Sequence, residues 1–218
     1  MSTQPRNRQD GFTLLEITIV LAVIAILGLI LAPSIVSFLN QSRLARSQND
    51  VRTIGDAVVD FVEDNGFHPQ WGDGQRNTRI LLLVSPGAVG EAQPGAEGWQ
   101  NTQPDAIDLI SNQLVNNRPS FGGTGYPLKT PLSGAGWNGP YLSAHVQEDP
   151  WGTRYVINVG HLSNSIDALE ADGLQEKRAV WVLSAGPDGI FDTAYPTEAT
   201  QLRSNAAASP ADISARIQ

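Results

Sequence analysis

The apolar and polar positions divide this chain sharply. From Ile17 to Ser42 there is no Asp, Glu, Lys or Arg, and nothing else in the sequence resembles that stretch. Phe12 to Ala32 is 21 residues, and at a rise of about 1.5 Å each such a helix crosses a hydrocarbon core of roughly 30 Å. Beyond Pro33 the pattern turns amphipathic. Leu44, Val51, Ile54, Val58, Phe61 and Val62 recur at steps near three, four and seven, which predicts a helical stripe. Asn65-Gly66 supplies the stop, because glycine takes the left-handed conformation that ends a helix. One helix from Phe12 to Asn65, 54 residues, follows.

The remainder has the cadence of short elements and turn-rich connections. Residues 70 to 104 are rich in Gly, Pro, Gln and Asn around one apolar piece, Ile80 to Val84, and read as a surface excursion around a short element. Asp105 predicts a helix cap, with a helix to about Asn117 and Ile107, Ile110, Leu114 and Val115 inward. Phe121 to Gly136 reads as a second loop. Pro150 and Gly152 place a turn before a strand at Tyr155 to Ile157, and Ala179 to Leu183 offers its partner. The expected class is α+β: a long N-terminal helix packed on a small antiparallel sheet with long loops.

Charge and composition narrow the function classes. Fourteen Lys+Arg against 22 Asp+Glu give a formal charge of −8, so a nonspecific grip on nucleic acid is not expected. The absence of cysteine removes disulfides, thiolate metal sites and Cys nucleophiles. The three histidines, His68, His145 and His161, are scattered, and no His-Glu-x-x-His, Gly-x-Ser-x-Gly or phosphate-loop pattern occurs. No enzyme is expected.

The apolar run alone permits a secretory signal peptide or a plain single-span anchor. It exceeds the 7 to 15 residues usual for a signal core, and no small-x-small cleavage pattern closes it. Arginines on both sides (Arg6 and Arg8; Arg43, Arg46 and Arg52) leave orientation open. The informative residue is Glu16, an ionisable group at the start of the run, costing about 3 kcal/mol at full membrane depth and so calling for a partner.

Gly11-Phe12-Thr13-Leu14-Leu15-Glu16 resembles the leader junction of type IV pilins and type II secretion pseudopilins. The resemblance implies that a prepilin peptidase/methyltransferase cuts between Gly11 and Phe12 and methylates the new amino group of Phe12. Glu16 then serves assembly, pairing with the Phe12 amine of a neighbouring subunit. It implies a helix kink or a locally extended segment between Gly28 and Pro33, since a helix-interior proline leaves the Leu29 carbonyl without a partner. The expected divisions are a cleaved leader (1–11), a transmembrane and assembly half-helix (12–37), an amphipathic half-helix (38–65) and a periplasmic head (66–218).

The head carries further likenesses. Asp64 to Pro69 is similar to the family's helix exit, and Gly136 to Leu142 and Asp149 to Tyr155 look like motifs of the major pseudopilin. Ser184 to Thr193 resembles its calcium-binding loop. On spacing alone an Asp-Gly turn accounts for that segment; the resemblance implies a structural Ca2+ on Asp188 and Asp192, with backbone carbonyls and water completing the shell. Downstream, Ala194 to Glu198 departs from the family's closely spaced acids.

Taken together, the resemblance implies a type IV pilin-like fold and a homo-oligomeric helical filament of the type II secretion system. It implies a single inner-membrane pass, leader in the cytoplasm and head in the periplasm. The implied partners are minor pseudopilins, an inner-membrane assembly platform with a cytoplasmic ATPase, and an outer-membrane secretin. The alternative is a type IV pilus subunit acting in adhesion, motility or DNA uptake. Charge along the helix is polarised, which suggests that Arg46 of one copy meets Asp60 or Asp64 of a neighbour.

Overall fold

The computed structural model describes residues 12–66, 69, 71–72, 75–76, 80–104, 106–119, 125–162, 180–195 and 212–217. Contacts group into two compact units, 1–42 and 43–218. Helix α1 (Leu14–Asn65) supplies residues to both. Its assignment is unbroken through Gly28 and Pro33, so the locally extended segment anticipated there is absent from the isolated chain. A proline interrupts one hydrogen bond, and the remaining ladder on either side carries the helix across the gap. The helix ends where the sequence placed its stop: Gly66 sits at φ 74° and donates its N–H to the Val62 carbonyl at 2.8 Å.

In the unit of residues 43–218, β1 (Trp71–Gly72) and β2 (Gln75–Arg76) form a small antiparallel ladder. The strands that follow are β3 (Leu82–Val84), β4 (Glu91–Ala92) and β5 (Ile107–Leu109), then the short helix α2 (Ile110–Leu114). After them come β6 (Val156–Ile157), β7 (Trp181–Ser184), β8 (Ile190–Phe191) and β9 (Ile213–Arg216). The main sheet has the order β5-β3-β6-β7-β9, and β4 pairs with β8 apart from it. The expected β6–β7 pair is present, with Val156 opposite Leu183. Three of the four pairings in the main sheet are antiparallel, whereas β3 and β5 run parallel, Leu83 opposite Asp108. The sheet is therefore mixed.

Both faces of this sheet are covered, which explains its unbroken apolar runs. Leu83, Ile157 and Val182 face the stripe of Val51, Ile54, Val58 and Phe61 on α1. Their neighbours Leu82, Val84, Val156, Trp181 and Leu183 point the other way, toward Trp99 and Phe191. The alternation follows from the period of two along a strand. Two expectations are corrected here. The short element expected within Ile80 to Val84 is the inner strand β3, but the segment after it is not a mere surface excursion, because Ala96 and Trp99 fold over Leu82 and Val84 as part of the core. Ile107 to Leu109 is a strand rather than helix: parallel pairing with β3 satisfies its backbone, and α2 starts only at Ile110. Asp105 lies outside the described residues.

Candidate functional site

Three places carry the sequence expectations: the helix start, the helix exit and the loop after β7. At the start, the Glu16 carboxylate accepts hydrogen bonds from the Thr13 N–H at 2.8 Å and the Thr13 hydroxyl at 2.9 Å. The Glu16 N–H in turn donates to the Thr13 hydroxyl at 3.3 Å. This is a capping box, in which two otherwise orphaned donors of the first turn are satisfied reciprocally. Its signature, Thr followed three positions later by Glu, is legible in the sequence. Every residue from Phe12 to Arg46 is exposed, and the helix is long and apolar enough to cross a membrane. Gly11 lies outside the described residues.

At the exit, Asn65 donates its side-chain amide to the Phe61 carbonyl at 2.9 Å and the Tyr141 hydroxyl at 3.2 Å. The Gly136 N–H donates to the Asp64 carbonyl at 2.9 Å, and Lys129 Nζ lies 2.6 Å from the Asp64 carboxylate. Tyr141 packs edge-on against Phe61 at 5.4 Å. The Gly136 to Leu142 segment singled out in the sequence thus clamps the end of α1. Asp64 is committed to Lys129, whose hydrogen bond and charge hold its carboxyl below the ordinary range. Arg46 is committed to Asp50 at 3.5 Å. Of the pairing expected between copies, Asp60 remains.

The other sequence motif, Asp149 to Tyr155, meets the C-terminal loop directly. Asp149 accepts from the backbone N–H of Trp151 (3.0 Å) and Thr153 (2.8 Å), and from the Ser184 hydroxyl at 2.6 Å. Beyond Ser184 the chain turns through Gly186 to Asp188, with Gly189 at φ 70°, into β8. Asp188 is exposed and accepts from the Ile190 N–H at 3.2 Å. Asp192 is buried, and its Oδ2 has no protein partner.

The sequence reading missed Asp212. Its Oδ2 accepts from the N–H groups of Asp192 (3.0 Å) and Thr193 (2.6 Å), while its Oδ1 is buried without a partner. Burial pushes the Asp212 carboxyl up to about 6, against the lowering effect of those donors. Burial, and then the charge of Asp188, also raises Asp192. Among the described residues no three His, Asp or Glu side chains converge as a ready metal cluster. Two buried carboxylates with unsatisfied oxygens nevertheless have the hard-oxygen chemistry that calcium takes. The available signal for Asp212 was the alternation of Ile213, Ala215 and Ile217, which marks a strand directly after it.

Residues 6–32 match the family described as the prokaryotic N-terminal methylation motif. The chain is 31% identical over 64 residues to the type II secretion system core protein G of Pseudomonas aeruginosa, covering 29% of this chain and 45% of that protein. It is 33% identical over 79 residues to the type IV major pilin protein PilA of Myxococcus xanthus, covering 32% of this chain and 35% of that one. The matched stretch thus spans less than half the length of either relative. No solved structure matches the chain. Neither relative is named for a catalytic activity. With a methylation motif at the head of a long apolar helix, packed further on against a small mixed sheet, the chain is similar to type II secretion pseudopilins and type IV pilins.

Proposed function

We propose that the chain is a subunit of a periplasmic pseudopilus, a filament that assembles from the inner membrane and drives protein secretion through the type II system. The observation that carries this reading is the wholly exposed run from Phe12 to Arg46, which holds a single acid, at its capped start. So much apolar surface needs cover, first from lipid and then from the same segment of other copies. Cleavage between Gly11 and Phe12 frees an ammonium group that pairs with Glu16 of a neighbour and fixes the axial step between helices. Loosening of the helix between Gly28 and Pro33 belongs to the packed state. The prepilin peptidase/methyltransferase acts first, and the assembly platform and its ATPase then add subunits beneath minor pseudopilins, toward the outer-membrane secretin.

In this reading Asp188 and Asp192, joined by Asp212, hold a structural Ca2+ that closes the end of a head lacking disulfides. Mass spectrometry of the N-terminus together with imaging of filaments tests the whole. Replacing Gly11 is expected to leave the leader attached, and Glu16→Val to permit processing but impair assembly. Normal assembly by both variants would refute the reading. The similarity to a type IV major pilin supports the second reading, a surface pilus, and filament length and surface exposure separate the two.

A further inference from the structure

We propose that Arg43 of one copy docks into the acidic notch at the far end of α1 in a second copy, shifted along the helix axis by about 25 to 30 Å. The inference rests on the filament reading and adds a specific contact to it. The notch holds about 300 Å3 and is lined by Asp60, Glu63, Asp64, Asn138, Pro140 and Tyr141. Lys129 already neutralises Asp64, but Asp60 and Glu63 are exposed and make no ion pair among the described residues. Asp56 lies two turns before Glu63 on the same face and is equally free. Arg52 shares that face, leaving three carboxylates against one guanidinium.

Arg43 is the complementary group. It is exposed and unpaired among the described residues, while Arg46 is engaged by Asp50. It lies 18 residues, five turns, before the buried Phe61, and so on the side of α1 that higher up is covered by the sheet. At 100° per residue Asp60 and Glu63 sit about 100° and 160° round the helix from it.

Donor and acceptor therefore occupy different faces at different heights. When Arg43 of one copy enters the notch of a second, the notch of the first and Arg43 of the second remain free for others. Such a heterologous contact does not close on itself and propagates. Its offset, 17 to 20 residues, is several times the four residues between Phe12 and Glu16. The two contacts consequently join different pairs of neighbours and fail separately.

Arg43→Lys keeps the charge and supplies an amine that a carbodiimide joins to a carboxylate only at ion-pair contact. In filaments of the full-length Arg43→Lys chain, the expected product is a peptide linking position 43 to Asp60, Glu63 or Asp56, absent from unassembled chain. Arg43→Glu is expected to lower filament yield several-fold with unchanged melting of the head, and the double variant Arg43→Glu/Asp60→Lys to restore it. Filaments that form with a processed Phe12 yet give no such peptide, or an Arg43→Glu defect that no reversal at Asp56, Asp60 or Glu63 relieves, overturn this contact while leaving the filament reading intact. Wild-type chain that forms no filament overturns the filament reading itself.

Discussion

The Ser184 hydroxyl donates to the Asp149 carboxylate at 2.6 Å, tying together two segments 35 positions apart. Asp149 is almost fully buried, and its carboxylate accepts three hydrogen bonds among the described residues, two from the turn that precedes β6 and one from the end of β7. Removing a buried charge-assisted acceptor strands its donors at about 1–3 kcal/mol each. Asp149→Ala is therefore expected to destabilise the head by about 3 kcal/mol or more, and Ser184→Ala by about 1 kcal/mol, in urea denaturation. The double variant should fall short of the sum, because both changes remove the same bond.

The Asp212 carboxyl sits near 6 in the folded chain, against an ordinary value of 3.8. Its charged form is thus disfavoured by folding, so the stabilising state is the protonated one. In the metal-free head the stabilising contribution of this group should be full below about pH 4 and fall by up to about 3 kcal/mol as pH rises through 6. Asp212→Asn should abolish that loss, read as the difference between wild type and variant. Calcium should reverse the trend for wild type above pH 6, raising its melting temperature, and do much less for the variant. A wild-type melting curve insensitive to both calcium and EDTA would remove the ion from the account.

Gly55 faces the sheet from the middle of a helical stretch. A Cβ built there meets Ala215 Cβ at 3.8 Å, Ile217 Cγ1 at 3.8 Å and Val182 Cγ2 at 3.9 Å, ordinary packing distances. Alanine consequently fits without displacement and removes the entropic cost of glycine within a helix. Gly55→Ala should stabilise the head by about 0.5–1 kcal/mol. Gly55→Leu adds atoms beyond that space and should destabilise by about 1–3 kcal/mol.

How much of this was legible beforehand depends on how local each signal is. The helical stripe, its stop at Asn65-Gly66 and the β6–β7 pair are written in short windows, and all three are present. The role of β3 is not: its place as an inner strand depends on Trp99 covering one face and α1 the other. The strand at Ile107 to Leu109 is fixed by a parallel partner 25 positions earlier, and without that partner the same residues read equally well as helix. Asp212 acquires its place only because β9 pairs with β7 and brings it against Thr193. The cap between Thr13 and Glu16 is legible in its spacing of three, a purely local signal.

Glu16 has two separable functions in this account, closing the cap with Thr13 and offering a charge to a neighbour's amine. Glu16→Gln keeps an acceptor for the cap and deletes the charge. The most direct measurement is the yield of filaments from this variant beside wild type, with the N-terminal residue of each read by mass spectrometry. The account predicts wild-type filaments of chains beginning at methylated Phe12, and a variant that is cut at the same bond but stays unassembled in the membrane. Abundant filaments from Glu16→Gln, or a working chain that retains Gly11, would contradict it.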